Sequence, residues 1–181
     1  MVARIASFHF LIFIFMSINA YILFIAAAIP LLVGMVYYNP KTMGNIWMRA
    51  SGITPDGEVG NMLPIFALTY FCGLLIATAL MFTVIHQMHM SSILAHHETE
   101  LGDPNSELSL YVKDFFVKYG TEFRTFKHGA FHGLLSALFL ATPVIAVSAM
   151  FERKGWKYIA VHAGYWVITL ALMGGVICQF L

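Results

Sequence analysis

Four long apolar stretches, at residues 18–38, 63–86, 129–150 and 158–181, alternate along the chain with shorter polar segments. A helix that crosses a bilayer needs about 20 mainly apolar residues, because its backbone polar groups find no partner in lipid and must be satisfied within the segment. Each stretch meets that length, so the pattern predicts four transmembrane helices, the second continuing into water. Between the second and third, apolar residues recur at Leu108, Tyr111, Val112, Phe115, Phe116 and Tyr119, the spacing of one helical face, while Lys113, Asp114 and Lys118 take the other side. Turn-forming Gly102, Asp103, Pro104 and Asn105 precede this run and Gly120 follows it. An amphipathic helix over about 106–119 is therefore expected, lying in the interface or docked on the bundle. The fold class is all-α: one polytopic transmembrane domain over 1–181, a four-helix bundle with one added amphipathic helix.

Within the third stretch, Gly129, Gly133, Ala137 and Ala141 place one small residue per turn, which lets two membrane helices approach closely. This stripe is the expected packing seam, with Ala171 and Gly175 of the fourth stretch as a matching surface. Pro143 removes a backbone donor and crowds the preceding turn, so a kink or local loosening is expected there. Tyr37, Tyr38 and Trp47 around the Asn39-Pro40 turn mark a headgroup-level aromatic belt. Asn19, Thr69, Thr78, Ser136, Thr142, Ser148 and Thr169 are expected to bond across helices or back to the preceding turn. Cys72 and Cys178 lie in apolar runs without a metal-type spacing and read as packing residues.

Composition agrees with the pattern: 60% of residues are hydrophobic and 10% charged, too apolar for a soluble domain of this length. A net charge of +1 and the lack of a basic run set nucleic acid aside as a partner. Four crossings put the N-terminus, the second loop and the C-terminus on one side. That side carries Arg4, Lys113, Lys118, Arg124 and Lys127, against Lys41, Arg49, Arg153, Lys154 and Lys157 on the other, a tie for orientation. Translation from Met16 would remove Arg4, tipping the balance towards a cytoplasmic first and third loop, and would make residues 1–15 an N-terminal extension. The first apolar run continues past any signal-peptide length, so a retained helix is expected.

Seven of the eight histidines fall on the second-loop side, if His9 is translated. His86 and His89 end the second stretch, His96 and His97 would return to the same face if that helix continues, and His128 and His132 are one turn apart. Imidazole is a frequent ligand of zinc, iron, copper and haem, and facing helices can bring several rings together. These six histidines are candidate ligands for a transition metal or haem, with Glu98, Glu100 and Asp103 as further oxygen donors or hydrogen-bond acceptors. Interfacial histidines also need no metal, since their nitrogens reach water or backbone carbonyls. His162 stands apart in the fourth stretch, where a neutral ring bonded to a neighbouring helix is expected.

Tyr37-Tyr38-Asn39-Pro40, Gly44, Trp47-Met48 and Gly52-Ile53-Thr54, followed by His162-Ala163-Gly164-Tyr165-Trp166 and Leu172-Met173-Gly174-Gly175, form an ordered set. In these residues the chain resembles DUF1761, a family of small bacterial integral membrane proteins of unknown function. The stretch from Phe123 to Gly129 resembles its longer branch. The resemblance implies a four-helix protein of the bacterial inner membrane and no catalytic residue. No phosphate-binding loop, nucleophile elbow or chain of buried acids suggests an enzyme or a pump. The leading reading is a non-enzymatic membrane protein acting through helix packing with itself, a partner or lipid. The alternatives are a metal- or haem-binding protein using the histidines, and a small transporter or channel that works as a homo-oligomer.

Overall fold

A computed structural model describes residues 19–54 and 60–181. Expectations that fall on residues 1–18, among them the Met16 start, the N-terminal extension and His9, lie outside the described residues. Regular structure among the described residues is helical throughout. In chain order it comprises α1 (Tyr21–Tyr37), α2 (Gly44–Ser51), α3 (Leu63–Val84), α4 (Met88–Ile93), α5 (Glu98–Leu101) and α6 (Glu107–Tyr119). There follow α7 (Phe126–Ser136), a π-helical turn (Ala137–Ala141), α8 (Thr142–Phe151) and α9 (Trp156–Phe180).

Among the described residues three helices, not four, are long and apolar enough to cross a membrane: Leu63–Val84, the rod Phe126–Phe151 that joins α7 to α8, and Trp156–Phe180. The first expected crossing is a shorter apolar helix of 17 residues, about 25 Å of rise. Its end is fixed by Thr42, whose hydroxyl donates to the carbonyls of Val36 and Tyr37. Much apolar surface faces outwards, including Phe66, Leu68, Phe71, Phe139, Leu140 and Phe151. Those faces fit a membrane protein, because lipid rather than water covers them at no cost.

The second helix does not continue into water as expected. It stops at Val84, Ile85 is extended, and the chain restarts as the short helices α4 and α5. No glycine or proline lies at the break. Tertiary contacts cause it: Ile85 and Met88 are buried in the core, and between them the Gln87 amide donates to the carbonyls of Tyr119 and Glu122. The amphipathic helix is present as α6, one residue shorter than expected, with Ser106 as N-cap accepting from the Ser109 amide. It packs against α5, with Ser109 and Val112 buried.

Helix α9 is the hub, touching α1, α2, α3 and every part of the α7–α8 rod. Its residues Leu170, Met173, Ile177 and Cys178 form one core with Ile22 and Ala26 of α1, Ala77, Leu80 and Val84 of α3, and Ala137. The small-residue seam between α7 and α9 brings backbone onto backbone. A Cβ on Gly129 would strike the Gly174 carbonyl, and one on Gly133 the Leu170 carbonyl. The matching surface centres on Gly174, whereas Gly175 faces the ring of Phe126. Pro143 is accommodated by the π turn immediately before it, which widens the helix where the proline would crowd it. Thr69, Thr78, Ser136 and Thr169 each donate to the carbonyl four residues back.

Two bonds define the ends of the bundle. The Asn19 amide donates to Leu181 at one end, and the Tyr37 hydroxyl donates to Val161 at the other. The break after α3 and the start of α7 share the Leu181 end, since Cys178 Sγ lies 3.4 Å from the Val84 carbonyl, Arg124 Nε donates to the Cys178 carbonyl and the Phe126 amide to the Gln179 side chain.

Candidate metal centre

Three histidines meet at the Leu181 end. His128 sits in the first turn of α7, held there by Thr125, whose hydroxyl accepts its backbone N–H and caps the helix. His132 follows one turn later, so both rings leave α7 on the same face. His86 comes from the break after α3, and the buried flanks Ile85 and Met88 aim it at α7.

The Nε2 atoms of His86 and His128 are 3.0 Å apart. Ring centroids are separated by 5.0 Å for His86 and His128, 4.8 Å for His86 and His132, and 4.5 Å for His128 and His132. One ligand nitrogen from each of the three lies within 4.8 Å of the other two. Two nitrogens bound to one tetrahedral ion at 2.0–2.1 Å stand about 3.3 Å apart. The His86–His128 pair is already near that spacing, and the third nitrogen needs to close by at most about 1.5 Å, within reach of a small ring rotation.

Partial desolvation by its packed neighbours first, and then the nearby His128 and His89, hold the His86 ring below the ordinary histidine pKa, although the residue as a whole stays exposed. A neutral imidazole is the form that binds metal, so the surroundings favour the competent state at neutral pH. His86 is exposed while His128 and His132 are half-buried, which leaves one side of the group open to water.

Of the six candidate histidines, the structure brings together His86, His128 and His132. His89 turns back, its Nδ1 lying 3.3 Å from the His86 carbonyl. His97 pairs with Glu100 at 3.0 Å, and His96 stands beside it on the linker between α4 and α5. The break after Val84 separates these residues from the face they would share in a continuous helix. Asp103 accepts the Asn105 amide, and among the described residues no carboxylate joins the three rings. His162 is at the opposite end, its Nδ1 3.3 Å from the Tyr38 hydroxyl and its ring 4.3 Å from that of Tyr158.

Phe123 is the residue that sequence reasoning passes over. Its ring lies 5.1 Å from His128, tilted by 30°. Its backbone is left-handed, φ 60°, a conformation that costs a bulky residue about 1 kcal/mol or more. Its carbonyl accepts both the Thr125 amide and the Cys178 thiol, and these bonds hold the turn. No composition or spacing signal marks a phenylalanine for that role.

A family model described as "Protein of unknown function (DUF1761)" matches residues 21–178. No curated protein and no solved structure matches the chain.

Proposed function

The chain belongs to the DUF1761 family, whose function is unknown, and from that premise we propose that it is an integral membrane protein binding one transition-metal ion through His86, His128 and His132. The observation that carries this reading is the convergence of three imidazole nitrogens within 4.8 Å. Three neutral nitrogens suit zinc, copper or iron in the divalent state, with a fourth position left for water or an exchangeable ligand. A bare ion fits better than haem, whose iron takes one or two axial ligands rather than three donors on one point.

Four crossings remain the reading of the topology. Asn19, two residues before α1, bonds to Leu181 just past α9, and Tyr37 at the end of α1 bonds to Val161, so the α1 segment runs alongside α9 between those two points. Twenty residues of α9 rise about 30 Å, the thickness of a bilayer core. The Gly129–Gly133 stripe packs against α9 of the same chain, so helix packing with a partner would use another surface.

The test is purification in mild detergent without chelator, followed by elemental analysis and titration of the stripped protein with Co(II) as a spectroscopic probe. About one equivalent of metal and a tetrahedral or five-coordinate Co(II) spectrum are expected. Less than about a tenth of an equivalent, together with no Co(II) spectrum, would rule the site out.

A further inference from the structure

The other end of the bundle carries a feature unrelated to the histidines. A groove of about 550 Å³ lies between α2 and the first turns of α9. Ile46, Ala50, Trp156 and Val161 form its apolar walls, and Arg49 and Lys157 add two cations to its lining. Among the described residues the ion pairs are His97–Glu100 and Lys118–Asp114, so neither cation has a carboxylate partner there. Among the described residues this end carries five basic residues, Lys41, Arg49, Arg153, Lys154 and Lys157, against the single acid Glu152.

The groove begins where α9 begins, with Trp156 as its first residue and the apolar run following. Tryptophan at that position marks the headgroup level. A ligand here therefore has its charge at the water boundary and its apolar part directed into the bilayer. Arginine offers a planar fork to a phosphate, and lysine adds a point charge whose ammonium lies 6.0 Å from the Trp156 ring centroid. The groove is much larger than a phosphate group, and its remaining surface is apolar.

From this combination we infer that the groove between α2 and α9 binds an anionic phospholipid, with Arg49 and Lys157 on the phosphodiester and Ile46, Ala50 and Val161 along the glycerol and upper acyl chains. Two cations at a low-dielectric boundary favour an anionic headgroup over a zwitterionic one by about tenfold or more. This site is independent of the metal centre at the opposite end.

The experiment is competitive retention of phosphatidylglycerol and phosphatidylcholine of identical acyl chains by the full chain in neutral detergent, read by native mass spectrometry. Phosphatidylglycerol should be retained about tenfold more strongly, and the preference should shrink as salt is raised. The double variant Arg49→Gln/Lys157→Gln should retain both lipids equally. Ala50→Phe, which keeps both charges and fills the groove, should lower retention of the anionic lipid. Equal retention by the wild-type chain, or a preference that survives the double variant, would overturn the assignment. So would displacement of the lipid by millimolar inorganic phosphate, which would make the groove a site for the bare anion. Should the double variant fail to fold, the salt series on the wild-type chain still decides: a preference indifferent to salt would end the proposal.

Discussion

The Nε2 atoms of His86 and His128 face each other at 3.0 Å, one from the break after α3 and the other from the first turn of α7. Two imidazole nitrogens that close share a single proton: one donates and the other accepts. Protonating both rings would set two cations against each other, while a metal ion between the pair would replace the proton. The contact joins parts of the chain 42 residues apart and ties the end of one long apolar helix to the beginning of the next.

Replacing His86, His128 or His132 singly by alanine should weaken metal binding by on the order of 100-fold, because each removal takes away one of three protein ligands. His89→Ala, His96→Ala and His97→Ala should change it by less than about threefold, since those rings point elsewhere. Competition against a chromophoric chelator measures all six. A large loss in the second group, or none in the first, would place the ligands wrongly.

The lowered pKa of His86 gives acid sensitivity a definite sign. In the unfolded chain the ring protonates near pH 6.5, before the folded ring does. The contribution to stability is therefore complete above about pH 6.5 and erodes as the pH falls towards the lower folded pKa, where the erosion stops. The thermal midpoint of metal-free protein should fall between pH 7 and pH 5, and His86→Gln should flatten part of that slope. Bound metal should be released over the same window as protons compete for the nitrogens. A midpoint that rises on acidification contradicts the assignment.

Gly133→Ala puts a methyl group where the Leu170 carbonyl of α9 lies. The backbones must part, at a cost of about 1–3 kcal/mol. Unfolding in mixed micelles should show that loss. Metal affinity should fall with it, because His132 precedes the glycine and moves with α7. Gly60→Ala, where a Cβ meets open space, is the control and should be close to neutral.

Gln87→Ala removes both bonds that tether the break after α3 to the carbonyls of Tyr119 and Glu122. His86 is the preceding residue, so its ring should lose its fixed aim. Metal affinity should drop about 10-fold, the usual scale for residues that orient a ligand. Gln87→Glu cannot donate and should behave in the same way. An affinity unchanged in both variants would mean that Ile85 and Met88 alone hold the ring.

Residues whose partners lie close in sequence were the legible ones. His128 and His132 share a face because α7 is a helix, and the amphipathic period marked α6 to within a residue. The Gly129–Gly133 stripe announced a close helix contact, though not that Gly174 would stand opposite. The break at Ile85 carried no signal: nothing between Val84 and Met88 disfavours a helix, and the side chains that end it are answered by distant carbonyls. For that reason helical periodicity places His96 and His97 on a face with His86, and the structure does not. Helix α2 was passed over because its signals, the Asn39-Pro40 turn and the left-handed Gly52 after its last turn, read equally well as a loop. The end of α1 depends on Thr42, whose one hydroxyl lies within hydrogen-bond reach of the carbonyls of Val36, Tyr37 and Asn39, an arrangement that leaves no trace in hydropathy.

The π turn at Ala137–Ala141 acts as a phase corrector for the rod that contains it. Residues taken every fourth position along an α-helix creep around its axis by about 40° per step, so Gly129 and Ala149 would end up roughly 200° apart. One extra residue in a wide turn takes back roughly 100° of that creep. Both residues are buried, and α7, the turn and α8 all touch α9. The 26-residue rod thus keeps contact with α9 before, at and after the turn. Deleting one residue from this turn would swing α8 away from α9, although every remaining side chain would be unchanged.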